Sequence, residues 1–331
     1  MTTDNSDRVP DSLDDLEPAL HLPAGPPVWP VGLQDPAPLV LRGQRFDAAR
    51  PAVMGIINLT PDSFFSGARF SDLAEALSAL DRLVAEGADI VDVGGVRAGQ
   101  VGPWVEVDEE IGRVLPFLTA ARRRHPELCL SLDTWRAPVA RACAVVGIEV
   151  INDTWAGADP GLVAVAAEIG AGYVVSHTGG LPPRTDPVAI SYGPDPDDVV
   201  RAVLAGLSDG ADRALAAGVP AERLLIDPTL DFGKTTRHSL RLLRATGQLT
   251  SLGFPVLQAL SRKDFVGETL DLPVADRLEG TLAATAVAAW LGATVFRAHD
   301  VLATRRVVDM VASIRGDRPP SVAVRGEPTV T

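Results

Sequence analysis

Nine polar residues, spaced along most of the chain, carry the chemistry this sequence can offer: Asn58, Asp92, Asp133, Asn152, His177, Asp227, Lys263, Arg297 and His299. Each closes a short apolar run or stands just beyond one. The three carboxylates and an asparagine can hold a flat, nitrogen-rich heterocycle by its amino and amide edges, because carboxylates accept and a carboxamide both accepts and donates. Arg297, His299, Asn58 and Lys263 supply a cationic, hydrogen-bonding rim suited to a phosphate or pyrophosphate. The set points to a polyanionic leaving group attached to a heteroaromatic ring, and spacing alone does not identify the ring. Each residue also has an ordinary reading. Asp92 before Val93-Gly94-Gly95, Asp133 before Thr134 and Asp227 before Pro228 all suit turns or helix caps. The two asparagines could satisfy turn backbone, and the histidines could be core-edge imidazoles. Recurrence at the same end of successive elements is what favours chemistry.

Those elements are eight apolar runs: Val53–Ile57, Asp89–Val93, Leu128–Leu132, Glu149–Ile151, Tyr173–Ser176, Leu224–Ile226, Pro255–Leu260 and Thr294–Phe296. Ala- and Leu-rich helical stretches follow them, at 72–86, 106–123, 138–146, 161–169, 197–217, 238–249, 277–291 and 303–314. Alternation of this kind predicts an α/β protein with a parallel sheet buried on both faces. Eight units in this span fit a (β/α)8 TIM barrel, whose site lies at the C-terminal ends of its strands. A doubly wound open sheet is the rival, but no Gly-rich dinucleotide turn follows the first run. A short hairpin over Leu39–Phe46 and Pro51–Val53 is expected ahead of the first core strand.

Composition sets outer limits. The chain has 331 residues and a formal charge of −13, which argues against a nucleic-acid or anionic-membrane surface. Residues 1–37 are acidic and Pro-rich and read as a disordered extension; 38–316 form the folded part, and 317–331 a loose tail. No apolar run is long enough to span a bilayer, and no secretory signal opens the chain, so a soluble cytoplasmic protein is expected. Cys129 and Cys143 lack metal-ligand spacing and read as small buried hydrophobes. Lysine and asparagine are scarce: 28 of the 30 basic residues are Arg, leaving Lys234 and Lys263, and the asparagines are Asn5, Asn58 and Asn152. Scarcity of that kind fits genome base composition, so the lysines and asparagines in the folded part stand against the background.

Met54-Gly55-Ile56-Ile57-Asn58-Leu59-Thr60-Pro61-Asp62-Ser63-Phe64 resembles the first signature of dihydropteroate synthases. The later blocks of that family are matched in order by Asp92-Val93-Gly94-Gly95, Ser131-Leu132-Asp133-Thr134, Ile151-Asn152-Asp153, Asp227-Pro228 with Phe232-Gly233-Lys234, Ser261-Arg262-Lys263 and Arg297-Ala298-His299-Asp300. The likeness covers about residues 38–316. It implies a pterin-binding TIM barrel and the displacement of pyrophosphate from 6-hydroxymethyl-7,8-dihydropterin pyrophosphate by the amine of p-aminobenzoate. By resemblance, Asp92, Asp133, Asn152, Asp227 and Lys263 fall in the pterin pocket, with Phe232, Ser261 and Arg297 as further substrate contacts. Asn58, Arg297 and His299 fall in the pyrophosphate and Mg²⁺ site, Asn58 as the metal-side residue. Asn58, Lys263, Arg297 and His299⁺ are the expected catalytic groups. A homodimer is also implied.

The sequence departs from the family where the second substrate should bind. The family's second loop reads Gly-Gly-Glu-Ser-Thr-Arg-Pro-Gly, and this chain has Gly94-Gly95-Val96-Arg97-Ala98-Gly99-Gln100-Val101. Phe65-Ser66-Gly67-Ala68 replaces Ser-Asp-Gly-Gly, and Ser176-His177-Thr178-Gly179-Gly180 replaces Met-His-Met-Arg-Gly. In Asp227-Pro228-Thr229-Leu230-Asp231, two family glycines that permit positive φ carry side chains instead. The expectation is a dihydropteroate synthase-like protein whose ordinary turnover is weak or lost. A non-catalytic pterin- or phosphate-binding paralogue and a pterin-dependent transferase with another acceptor are the alternatives.

Overall fold

Runs rich in Val, Ile and Leu have no polar face to offer water, and here they become eight parallel strands enclosed by helices. The computed structural model describes residues 35–60, 70–97, 104–185, 190–322 and 325, with 70–72 as backbone alone. The extension expected to be disordered falls almost wholly outside these residues, as do the Phe65–Ala68 departure and the middle of the second loop.

A hairpin of β1 (Leu39–Leu41) and β2 (Gln44–Phe46) comes first. It lies within the expected 39–46 segment, while Val53 belongs to the core strand that follows. The barrel strands are β3 (Ala52–Asn58), β4 (Ile90–Gly94), β5 (Cys129–Asp133), β6 (Val150–Asn152), β7 (Gly172–Ser176), β8 (Leu224–Asp227), β9 (Leu257–Ala259) and β10 (Val295–Ala298). Between and after them run α1 (Phe70–Ala85), α2 (Val107–Arg124), α3 (Ala137–Cys143), α4 (Leu162–Ile169), α5 (Asp198–Ala217), α6 (Thr236–Arg244), α7 (Thr246–Thr250), α8 (Asp264–Leu270), α9 (Leu278–Trp290) and α10 (Val301–Arg315). Hydrogen bonding runs β8-β7-β6-β5-β4-β3-β10-β9. The seam between β8 and β9 is closed by a single bridge, Ile226 to Val256, with the Ile226 N–H donating to the Pro255 carbonyl at 3.0 Å. A nearly closed parallel ring with helices outside is a (β/α)8 barrel.

Helices depart from expectation in two places. One helix was expected over 238–249, but α6 and α7 are separated at Ala245, whose φ of −91° and ψ of 8° leave the helical region. The buried Thr246 hydroxyl donates back to the Leu243 carbonyl and accepts from the Gln258 amide of β9, so tertiary contact fixes the break. Helix α8 was not anticipated at all. Its seven residues are too few to show an apolar period.

Strand side chains alternate in direction with a period of two, and this decides what lies inside the ring. Val53, Val91, Leu130, Ile151 and Val175 face outward and join the large core under the helices. Ala52, Met54, Ile90, Cys129, Val150, Val174, Leu225, Leu257 and Val295 face inward, where Leu39, Leu41 and Phe46 of the hairpin plug the barrel floor. Phe46 is fully buried, and a burial of that kind contributes about 1.5–3 kcal/mol. Two residues further along the same inward faces, Ile90 gives way to Asp92, Cys129 to Ser131, Val150 to Asn152, Leu225 to Asp227 and Val295 to Arg297. The barrel is thus apolar at its floor and polar at its mouth. Cys129 in the floor and Cys143 at the end of α3 are buried free thiols, both pushed up to about 12, chiefly by burial.

Candidate active site

Arg297 occupies the centre of the mouth. Its Nε donates to Asp92 Oδ2 at 2.7 Å and its Nη2 to Asp133 Oδ2 at 2.9 Å, so one guanidinium bridges two acids. Asp92 is wholly buried and also accepts from the Ser131 hydroxyl at 2.5 Å and from Asn152 Nδ2 at 3.0 Å. Asp133 accepts from the Thr154 hydroxyl at 2.9 Å. Burial pushes Asp133 up to about 7, with Arg297 opposing and Asp92 adding to the rise. Sequence reasoning placed Arg297 on the anion rim. In the folded chain its guanidinium ties the two acids together. Ser131 and Thr154 were not singled out. Strand register is the signal that finds Ser131, since it sits directly beside Asp92 across the β4–β5 ladder.

Asp227 and Lys263 form the neighbouring wall. Burial raises Asp227, with Lys263 working against the rise. Burial lowers Lys263 in turn, opposed by Asp231 and Asp227. The Lys263 ammonium donates to the Leu230 carbonyl and stands 5.1 Å from the centre of the Phe232 ring, a cation–π distance. Between them the backbone is strained: Thr229 has φ +52°, Asp231 φ +67° and Arg262 φ +56°. These are the two positions where the family has glycine, plus one in the Ser-Arg-Lys block. A β-branched residue in the left-handed region costs about 1–3 kcal/mol and persists only where surroundings over-determine it. Here they do. The Thr229 N–H donates to Asp227 Oδ1 at 2.7 Å, and the Thr229 hydroxyl donates to the Asp227 carbonyl and accepts from the His177 N–H. Asp231 accepts from the Ser239 hydroxyl and the Phe265 N–H. Lys234 completes the clamp, its Nζ donating to the carbonyls of His177, Thr229 and Phe232 at 2.6, 3.2 and 2.8 Å. Burial pushes this amine down to about 7, yet three carbonyls are the partners an ammonium needs. Lys234 therefore positions the turn that carries Asp227 and Phe232.

Asn58 ends β3 in register with Gly94, which is in register with Asp133. Asn58 Oδ1 and Asp133 Oδ2 each lie 3.6 Å from the point a Cβ on Gly94 would occupy, so they face across the glycine. On the far side, Ser261 Oγ accepts from the His299 N–H at 3.2 Å and pairs with His299 Nδ1 at 3.0 Å. The expectation of a charged His299 is corrected here. Desolvation within the site and the neighbouring Arg297 push the imidazole down to about 4 even though part of the side chain stays open to solvent, which favours the neutral ring and a hydrogen bond over a charge. His177, expected at the site, turns its ring toward Tyr192 and α5. Among the described residues no three His, Cys, Asp or Glu side chains converge on a metal position. A lone amide oxygen at Asn58 fits Mg²⁺ that arrives on a pyrophosphate, since Mg²⁺ keeps most of its ligands as water and phosphate oxygens.

The second loop is anchored firmly at both ends. Arg113 donates to the Gly95 carbonyl at 2.7 Å, and Arg136 to the Val105 carbonyl at 2.8 Å. Arg136 also pairs with the fully buried Glu110 at 2.9 Å, which accepts from Thr134 at 2.7 Å. Gly95 has no room for a side chain, because a Cβ there would lie 2.8 Å from Val114. Arg97, the arginine nearest the position where the family's loop carries one, is exposed at the last described position of the loop's first half.

A barrel whose mouth pairs buried acids with cations beside an aromatic ring is built to recognise a polar heterocycle. Residues 54–299 match the family model of pterin binding enzymes. A Mycobacterium leprae protein named inactive dihydropteroate synthase 2 is 54% identical over 288 residues, covering 87% of this chain and 98% of the relative. The dihydropteroate synthase of Haemophilus influenzae is 36% identical over 258 residues, covering 78% and 92%. A solved Coxiella burnetii dihydropteroate synthase in complex with pteroic acid superposes with a TM-score of 0.74 at 31% identity, covering 85% of this chain and 99% of that one. The chain belongs to the pterin binding enzyme family. Within that family it is a dihydropteroate synthase-like protein, more similar to the M. leprae relative named inactive than to the H. influenzae synthase.

The electrostatics of His299 give a direct prediction. Its folded value lies below that of an unfolded histidine, so the unfolded chain takes up the extra proton and stability falls as pH drops from about 6.5 to about 4. The imidazole resonances in an NMR titration should move near pH 4 in the free protein and shift to higher pH when inorganic pyrophosphate is added. A free-protein midpoint near 6.5 would contradict the desolvating, Arg297-flanked environment.

Proposed function

We propose that the chain binds 6-hydroxymethyl-7,8-dihydropterin pyrophosphate at the barrel mouth and condenses it with p-aminobenzoate slowly or not at all. The observation that carries this reading is an asymmetry. The acid, amide and cation cluster is complete and cross-bonded, whereas the second loop keeps its anchors and has lost the family's Glu-Ser-Thr-Arg-Pro.

In this reading Asp92, Asp133, Asn152 and Asp227 hold the pterin's amino and amide edges, with Phe232, Lys263 and Ser261 around them. An ionised Asp133 receives N–H donors best, so pterin binding favours loss of its proton. Arg297, once a pyrophosphate competes for it, and the neutral imidazole of His299 stabilise the charge that builds on the departing group. In the reaction the amine lone pair forms the C–N bond, the C–O electron pair leaves with pyrophosphate, and the amine proton passes to solvent. No side-chain nucleophile is required. Mg²⁺, held beside Asn58 by the pyrophosphate oxygens, would neutralise charge on the leaving group. Loss of one preorganised cation from the closing loop costs roughly 10²–10³-fold in rate. The altered loop equally favours a second reading, in which another amine or a methyl group takes the acceptor's place.

A homodimer is part of the proposal. Leu243, Phe265, Val266, Leu270, Ala284 and Val287 line an apolar groove across α6, α8 and α9, and Leu270 and Val287 are 48% and 45% exposed. A second copy of this chain is the occupant we assign. Sedimentation equilibrium should give a dimer that Val287→Glu converts to monomer, and a monomeric wild type contradicts the assignment. Two buried, unpaired thiols support a cytoplasmic location, where thiols stay reduced.

The assay supplies the pterin pyrophosphate, Mg²⁺ and p-aminobenzoate, and measures dihydropteroate and pyrophosphate together. We expect turnover about 10²–10³-fold below that of a working synthase. Replacing Val96–Gln100 by Glu-Ser-Thr-Arg-Pro should recover part of the deficit. Ordinary turnover in the unaltered chain, or no gain after replacement, counts against the loop as the lesion.

A further inference from the structure

His299 is a ring with one edge tied down and the rest open. It follows β10, is exposed, and among the described residues only Ser261 hydrogen-bonds its imidazole. The contact grows out of strand register. Ala259 of β9 lies opposite Arg297 of β10, and two residues further along each segment stand Ser261 and His299. The ladder has ended there. The Ser261 hydroxyl stands in for the next carbonyl and accepts from the His299 N–H at 3.2 Å.

A second tie lies one residue beyond. Arg262 donates from Nε and Nη2 to the two carboxylate oxygens of Asp300, at 2.9 and 3.1 Å. A planar guanidinium on a carboxylate fixes direction as well as distance. Arg262 is itself over-determined in its left-handed conformation. Its N–H donates to the Thr281 hydroxyl at 3.0 Å, and its carbonyl accepts from Arg277 at 3.0 Å. Its Nη1 donates to the carbonyls of Val274 and Ala275. The segments Ser261-Arg262 and His299-Asp300 are therefore locked side by side, which keeps the serine hydroxyl against the ring.

Counting hydrogens then decides the state of that ring. A serine hydroxyl has one proton to give and lone pairs to accept with. In Ser261 a lone pair meets the His299 N–H. Its proton has one acceptor in reach among the described residues, Nδ1 of the same histidine at 3.0 Å. An Nδ1 that accepts carries no proton, so the neutral ring carries its proton on Nε2. The distinction matters beside an anion. Nε2–H donates to a phosphate oxygen, whereas a bare Nε2 would turn a lone pair toward it.

We propose that Ser261 is a positioning residue that holds His299 as the Nε2–H tautomer and so presents a fixed hydrogen-bond donor to the leaving pyrophosphate. Arg262 and Asp300 hold the pair in place. The donor role rests on the pterin pyrophosphate reading of the mouth, whereas the tautomer is a property of the free protein. Proton–nitrogen correlation spectra of the imidazoles near neutral pH read it directly, with His299→Gln assigning the signals. Nδ1 of His299 should be unprotonated and Nε2 protonated in the wild type. Ser261→Ala should mix the two tautomers and weaken inorganic pyrophosphate about threefold to tenfold by calorimetry, and Ser261→Thr should restore both. Thermal unfolding of the variants identifies a folding defect, which would not by itself redistribute the tautomers. A wild-type ring protonated at Nδ1 overturns the proposal, as does a Ser261→Ala spectrum identical to that of the wild type. Failure of the wild type to bind pyrophosphate contradicts the function proposed for the mouth, and the donor role with it, while the spectrum still decides the tautomer.

Discussion

The guanidinium of Arg297, set between Asp92 and Asp133, is the interaction on which the mouth of this barrel depends. Two carboxylates buried side by side repel each other and resist ionisation, and a cation within hydrogen-bond reach of both is what allows them to coexist. The arrangement exists only because β10, β3, β4 and β5 lie next to one another, which brings residues 164 and 205 positions apart into contact with one side chain. Ser131, Asn152 and Thr154 then take up remaining lone pairs on the acids. The result is a polar cluster that is satisfied by itself yet offers acceptors to any donor-edged ring that can compete for them. The hairpin plug makes this possible from below, since it closes the floor with apolar bulk and confines the polar layer to the ligand-facing end.

A second set of contacts keeps the wall of Asp227 and Lys263 in shape at the expense of backbone comfort. Thr229, Asp231 and Arg262 hold left-handed conformations that glycine would adopt freely. Side-chain hydrogen bonds from Thr229, Ser239 and Lys234 offset that strain. The contrast with the second loop is informative. There Glu110, Arg113 and Arg136 preserve the attachment points, while the residues between them have changed. The first wall keeps the family's polar residues even where the local sequence has become unfavourable; the second loop keeps its anchors and differs from the family in between.

Much of this was legible in the sequence because strands report themselves through uninterrupted apolar runs. All eight barrel strands lie within two residues of their expected limits. The polar residue at each strand end was visible for the same reason, and the rarity of Lys and Asn singled out Asn58, Asn152, Lys234 and Lys263. What the sequence could not show was direction. Nothing in the chain says that Arg297 turns inward to the acids, that its guanidinium stands close enough to His299 to disfavour a charged imidazole, or that Lys234 bonds three carbonyls. Helix α8 and the break at Ala245 were hidden because one is shorter than a reliable helical period and the other is set by a contact from β9.

The central claim is that the Arg297-bridged acid pair is a pterin-recognition device. Calorimetric titration of 6-hydroxymethyl-7,8-dihydropterin pyrophosphate into the wild type and into Asp133→Ala tests it most directly, with thermal unfolding run alongside to show that the variant is folded. The account predicts saturable binding to the wild type and a loss of about hundredfold or more in the folded variant, as removal of a buried charged acceptor requires. Equal affinity in the two proteins would contradict it.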